Sequence, residues 1–308
     1  MPNPFHIVEV SDPRPVAERV RDFDVQSVPT NLSNHREAAK FFQPDPGLVM
    51  AVNAALALGS PLLVTGEPGT GKTQIAHWVA YHFGIEDRLY PLYVKSTTTA
   101  EDLLYRFDHV AYFHAANDPR HKSEEIDKKV FREKGPLWKA LERQQRCIVL
   151  IDEIDKAPKD FPNDLLHELD QYHFVAKETG EAITKKDGVP PPLIVITSNS
   201  ERRLPEPFLR RCVFHHLEFT EELVRQAVGA RRGDYKRLDE TTRDLAIQRF
   251  FEVRARVQRK KPATAELLVW LVLLDARGAK AQDLETRLLK ELPALAALIK
   301  DRDDWSNL

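Results

Sequence analysis
One eight-residue run limits what this chain can fold into. Gly66, Glu67, Pro68, Gly69, Thr70, Gly71, Lys72 and Thr73 satisfy the spacing G-x-x-x-x-G-K-[ST], with Gln74 next in line. Such a loop carries meaning only between a buried strand and a helix, and that frame is present. The apolar run Leu62–Thr65 precedes it, and Ile75, Ala76, Val79, Ala80 and Phe83 follow at helical spacing. Glycines let the backbone curl until its N–H groups face inward and cradle phosphate oxygens. The N-terminus of the following helix adds partial positive charge at the same point. Lys72 is placed to reach the outer phosphates of a nucleotide, and the Thr73 hydroxyl to ligate Mg2+. Residues 66–74 are therefore the candidate nucleotide-binding set.

A second run supplies acid. Cys147–Ile151 is apolar and ends in Asp152 and Glu153. A buried strand is a costly place for carboxylates unless a cation waits at its end. Asp152 suits Mg2+, and Glu153 suits a general base that polarises an attacking water. Asp155 and Lys156 read as surface charges. The next apolar run, Leu193–Thr197, leads to Asn199, whose amide could hydrogen-bond that water or a phosphate, although Asn at a strand end is also an ordinary turn residue. Arg202, Arg203, Arg210 and Arg211 lie within ten residues, the last two just ahead of another strand-like run. An arginine there cannot easily fold back onto its own phosphate loop, but it could reach the site of a neighbouring subunit.

Four runs, Leu62–Thr65, Leu89–Lys95, Cys147–Ile151 and Leu193–Thr197, read as strands apolar on both faces and joined by long crossovers. Val213–Phe219 is a fifth candidate. That pattern predicts an α/β fold, a parallel sheet sandwiched by helices. After Thr220 helical spacing takes over, and Leu284, Leu288, Leu289, Leu292, Leu295 and Leu298 fall at intervals that place them on helix faces. The expected organisation is an N-terminal extension at 1–40, an α/β core at 41–219 and an all-α lid at 220–308. Within the extension, Val16–Arg21 reads as a short helix.

Composition closes off other classes. The 45 Lys and Arg against 47 Asp and Glu give a formal charge of −2, which excludes binding of nucleic acid through bulk positive charge. Two cysteines are too few for a disulfide framework and fit a reducing compartment. The N-terminus lacks the pattern of a signal peptide, and the longest apolar stretch, 267–274, falls short of a membrane span. A soluble, cytoplasmic protein is expected, with no membrane partner.

Taken in order, the loop at 66–73, the acidic strand end at 148–153, Asn199, the pair Arg210 and Arg211 and the helical tail resemble the AAA+ ATPases. Gly135-Pro136-Leu137-Trp138, Asp152-Glu153-Ile154-Asp155-Lys156-Ala157-Pro158, Leu165-Leu166-His167-Glu168-Leu169 and Leu204-Pro205-Glu206-Pro207-Phe208-Leu209-Arg210-Arg211 narrow the resemblance to the MoxR branch. It covers residues 41–220 closely and the tail more loosely. The resemblance implies a homo-oligomeric ring, usually of six subunits, with ATP and Mg2+ at each interface. Asn199 matches the position called sensor 1, and Arg211 matches the arginine finger best, with Arg210 its close rival. An insertion within 100–134 and a hairpin at about 172–188, which the turn residue Gly180 suggests independently, would face the pore or a client. That client would be a protein bearing a von Willebrand factor A domain, which the ring remodels or activates as a chaperone does. The family's lid arginine is replaced here by Thr264, leaving Arg254, Arg256, Lys260 or Lys261 to substitute or the sensor to be missing.

Two other functions compete. Lys177, Lys185 and Lys186 in the hairpin would suit a nucleic-acid-stimulated motor of a restriction or defence complex. The missing lid arginine would suit a scaffold that binds nucleotide and hydrolyses it slowly. Arg232-Gly233-Asp234 reads as a helix-terminating turn. His82, His109, His114, His121, His167 and His173 lack metal-ligand spacing.

Overall fold
The computed structural model describes residues 13–24, 34–118, 126–285 and 288–308. Most of the N-terminal extension, including Pro2, Pro4 and Pro29, and also His121 lie outside them. The described residues form two compact units, those of Pro44–Glu67 with Lys72–Glu218, and those before Pro44 with Pro68–Gly71 and Phe219–Leu308.

The first unit is built on a parallel sheet. Helix α1 (Pro46–Leu58) begins where Asp45 accepts a hydrogen bond from Leu48 N–H at 2.9 Å and Pro46 sets the first turn. It ends at Gly59, whose φ of 67° puts it in the left-handed region open to glycine. Strand β1 (Leu62–Gly66) then enters the phosphate loop, which passes into α2 (Lys72–Phe83). The remaining strands of the sheet are β2 (Leu89–Tyr93), β5 (Ile148–Asp152), β8 (Leu193–Ser198) and β9 (Val213–Leu217). Their order is β2-β5-β8-β1-β9 with every pairing parallel. β1, β5 and β8 are buried along their whole length. β2 was expected to be buried on both faces and is not. It is an edge strand, half-buried or exposed throughout, and the missing N–H of Pro91 is tolerated there.

Between β2 and β5 the chain makes a small accessory layer. Helix α3 (Ala100–Leu104) leads into β3 (Tyr105–Phe107), then α4 (His109–Asn117), β4 (Arg132–Lys134) and α5 (Pro136–Glu142). β3 and β4 pair antiparallel, Tyr105 opposite Lys134. Between β5 and β8 stands a hairpin of β6 (His173–Ala176) and β7 (Glu181–Thr184), with Gly180 at φ 70° in its turn. This is the hairpin expected from the sequence. Gly135, at the end of β4, cannot carry a side chain, since a Cβ would lie 2.5 Å from the Leu103 carbonyl oxygen.

In the second unit α6 (Glu221–Ala230), α7 (Glu240–Arg256) and α8 (Thr264–Arg277) bury Val224, Val228, Ile247, Phe250, Val253, Leu267, Trp270 and Leu271 in one apolar core. Arg232–Asp234 forms the expected turn. The leucines of 284–298 do not share a helix face. Leu284 ends the short helix Ala281–Leu284, Leu289 and Leu295 open two 3₁₀ turns, Leu289–Glu291 and Leu295–Ala297, and Leu288, Leu292 and Leu298 flank those turns. Pro293 has no N–H for a continuing helix, and its carbonyl accepts from the buried Trp270 Nε1 at 2.7 Å. Leu284, Leu289, Leu292, Leu295 and Leu298 still reach the core, without helical phase.

Candidate nucleotide site
The site starts from the glycines. Gly69 and Gly71 adopt φ of 76° and 97°, values that turn the backbone amides of the loop inward and that other residues resist. Lys72 opens α2 and is buried. Its Nζ donates to the carbonyls of Gly66 and Glu67, each at 2.8 Å. Burial lowers the Lys72 pKa, while Asp155 first, then Glu153, Asp152 and Glu67, pull it back up. The amine thus rests on its own loop, within the cradle where a phosphate would sit.

Thr73, one residue on, donates from Oγ1 to Asp152 Oδ1 at 2.8 Å. A hydroxyl and a carboxylate oxygen at one point are hard donors that fit Mg2+, which takes its other ligands from phosphates and water. Among the described residues no group of three or more His, Cys, Asp or Glu side chains forms a cage for a metal.

Glu153 follows Asp152 out of the sheet at φ 60°, ψ 53°, a left-handed conformation that costs a non-glycine residue about 1–3 kcal/mol and persists only where its surroundings impose it. Its N–H donates to Thr197 Oγ1 at 2.8 Å. Its two carboxylate oxygens are both engaged. Oε1 accepts from Asn199 Nδ2 at 3.1 Å, and Oε2 is in contact with Lys156 Nζ. The Lys156 pKa is raised, chiefly by that hydrogen bond.

Sequence reasoning missed the roles of Thr197 and Asp155, and the Glu153 contact of Lys156, which is exposed as expected. Thr197, fully buried at the end of β8, donates to Asp152 Oδ1 at 2.7 Å and accepts from Glu153 N–H. The signal was available, because a hydroxyl in a strand buried on both faces must find partners. Asp155 is 3% exposed and takes the backbone amides of Asn199 and Glu201, so it is not the surface charge expected. Lys156 also has a partner in the site. Nothing in the local pattern distinguishes Asp155 from a solvated acid, because its partners, the amides of Asn199 and Glu201, come from just past β8, more than forty residues on.

The arginines divide. Arg210 and Arg211 are both exposed, and Arg211 Nε pairs with Asp170 Oδ2 at 2.5 Å while its Nη1 donates to the Pro207 carbonyl at 2.8 Å. Arg202 donates to the Ala157 carbonyl at 3.2 Å and Arg203 pairs with Glu206. In the second unit Thr264 opens α8. Arg254 lies 3.8 Å over the Phe219 ring and donates to the Pro262 carbonyl at 2.6 Å. Arg256, Lys260 and Lys261 are exposed.

A buried parallel strand that runs into a glycine loop, with Asp152, Glu153 and Asn199 gathered at neighbouring strand ends, defines a P-loop nucleotide-binding core. Residues 61–212 match the model of the AAA domain, dynein-related subfamily, and the parallel five-stranded sheet with its flanking helices is consistent with an AAA+ P-loop α/β core. Among solved structures, a candidate ATPase from Cytophaga hutchinsonii aligns over 88% of this chain and 84% of its own, at 13% identity and a TM-score of 0.38, too distant to bear on function. No curated protein matches the chain. No helix among the described residues is long and apolar enough to cross a membrane.

Proposed function
We propose that the protein hydrolyses ATP, as a MoxR-type AAA+ ATPase working in a homo-oligomeric, hexameric ring. The observation that carries this reading is the convergence of Thr73, Asp152, Glu153 and Asn199 through hydrogen bonds of 2.8 Å (Thr73 to Asp152) and 3.1 Å (Asn199 to Glu153). Lys72 and the loop amides hold the phosphates. Thr73 and Asp152 would hold Mg2+, which would supply neutralisation of phosphate charge. Glu153 takes a proton from the attacking water as it adds in line to the γ-phosphorus and ADP leaves. Asn199 orients Glu153 and the water. Arg211, or Arg210, from the neighbouring subunit stabilises the transferring phosphoryl group, a contribution of about 10³–10⁵ in rate.

The resemblance to the MoxR branch supports a partner protein as client, one with a von Willebrand factor A domain, engaged through the hairpin and the accessory layer. Glu153→Gln is expected to keep ATP binding and lose about 10²–10⁴ in turnover. Unchanged turnover sinks the mechanism. The same variant, trapped with ATP, is the bait for the client. Turnover stimulated by DNA or RNA and falling steeply with salt would replace the protein client by nucleic acid.

A further inference from the structure
We propose that Asp155 is a positioning residue for hydrolysis, its buried carboxylate fixing the backbone of Asn199 to Glu201 so that the Asn199 amide stays on Glu153. The inference rests on the ATPase reading above and assigns a role that this reading does not need.

Asp155 sits in the 3₁₀ turn Ile154–Lys156, directly after the left-handed Glu153. Its oxygens are divided between two amides. Oδ1 accepts from Asn199 N–H at 3.2 Å and Oδ2 from Glu201 N–H at 3.1 Å. Hydrogen bonds to an ionised acceptor are about twice as strong as neutral ones. Between the two anchored residues, Ser200 stands at φ 60°, and its N–H is turned back to Ser198 Oγ at 3.0 Å. A serine left-handed in an exposed loop needs its surroundings to hold it there, and Asp155 grips the chain on both sides of it. Asn199 then presents Nδ2 to Glu153 Oε1 at 3.1 Å. The chain of contacts closes on itself. Glu153 and Asp155 leave one strand end and Asn199 and Glu201 the next, so the carboxylate ties the residue that orients the water to the segment that carries the base. A misplacement of about 1 Å in such a group can cost on the order of 10² in rate.

Asp155 has a second possible route to activity, because among the nearby acids it acts most strongly on the Lys72 charge. The two routes differ in what they change. Acting through Lys72, Asp155 would alter nucleotide affinity. Acting through Asn199, it would alter turnover alone.

The test is a double-mutant cycle on the full-length protein, reading kcat and KM for Mg-ATP together with the Kd of a fluorescent ATP analogue. Asp155→Asn keeps the shape of the side chain but points an NH2 at one of the two amides. It is expected to lower kcat about tenfold to a hundredfold and to leave Kd within about threefold. Asn199→Ala is expected to lower kcat at least as far, and the double variant should lose nothing further beyond about twofold. Multiplicative losses overturn the proposal, as does a Kd that weakens in step with kcat. Should Asp155→Asn fail to fold, Asp155→Ser, which keeps one acceptor, is read in the same way. Failure of both to fold also overturns it, because Asp155 would then hold the domain rather than the amide. A dead Glu153→Gln beside an active wild type keeps the ATPase reading whatever the cycle shows. An inactive wild type removes that reading and this proposal together.

Discussion
Thr197 shows how much one small group can fix. Its hydroxyl hydrogen goes to Asp152 at 2.7 Å and its oxygen receives the Glu153 N–H at 2.8 Å, so a single atom sets both carboxylates. Thr197→Val keeps the shape, leaves the part-buried Glu153 N–H without its acceptor and removes one of the two donors to Asp152 Oδ1, which keeps Thr73, a cost of about 1–3 kcal/mol in all. We expect a lower unfolding temperature together with at least a tenfold fall in kcat, measured by calorimetry and by phosphate release. Lys72→Met should abolish nucleotide binding without unfolding the protein, which equilibrium binding and circular dichroism would show together. Lys72 is buried against two carbonyls and gains little stability from a charge that burial disfavours.

Among the elements, the ribbon and the hairpin behave as one block. The Tyr105 hydroxyl donates to Glu178 at 2.9 Å and accepts the Lys177 N–H at 2.8 Å. Arg132 lies 4.0 Å over the Trp138 ring and donates to Glu181 at 2.9 Å. Arg132→Met should therefore speed amide exchange across 173–184, about tenfold if one buried charge-assisted bond is lost. The hairpin was legible in the sequence because Gly180 and its flanks form a local signal. The ribbon was not, since two three-residue strands paired across more than twenty residues leave no period to read. The same limit explains the tail. Leucines three and four apart suggested helix, yet Pro293 breaks the phase and packing toward Trp270 decides the path. A third element-scale feature is Asp304. Burial pushes its carboxyl up, but the backbone amides of Arg259, Lys260 and Gln258, at 2.9–3.0 Å, outweigh that and hold its pKa below the ordinary aspartate value. A group whose folded pKa is depressed adds stability above its unfolded pKa, about 3.9, and loses it as pH falls through the folded value. Asp304→Asn should lower the unfolding temperature at pH 7, and the gap to wild type should close as the pH is taken below the aspartate range.

For the whole molecule, a formal charge of −2 leaves no broad basic face, and useful positive charge is local, at Lys72 and at the arginines ahead of β9. If Arg211 or Arg210 serves a neighbour, Glu153→Gln and arginine-to-alanine chains, each inactive alone, should recover part of the turnover when mixed, because some interfaces then pair an intact base with an intact finger. No recovery at any ratio would place the arginine in its own subunit's site. The backbone of Glu153 carries a different lesson about the same molecule. A position at φ 60° is one that folding alone would give to glycine. Glu153→Gly relieves a left-handed side chain, worth about 1–2 kcal/mol, and gives up a half-exposed ion pair and one hydrogen bond worth about as much. The inactive protein should therefore melt no lower than the wild type. Screening for thermal stability without an assay for turnover would drift toward losing this glutamate, and if Glu153 is the general base, its presence marks where the chain trades robustness for chemistry.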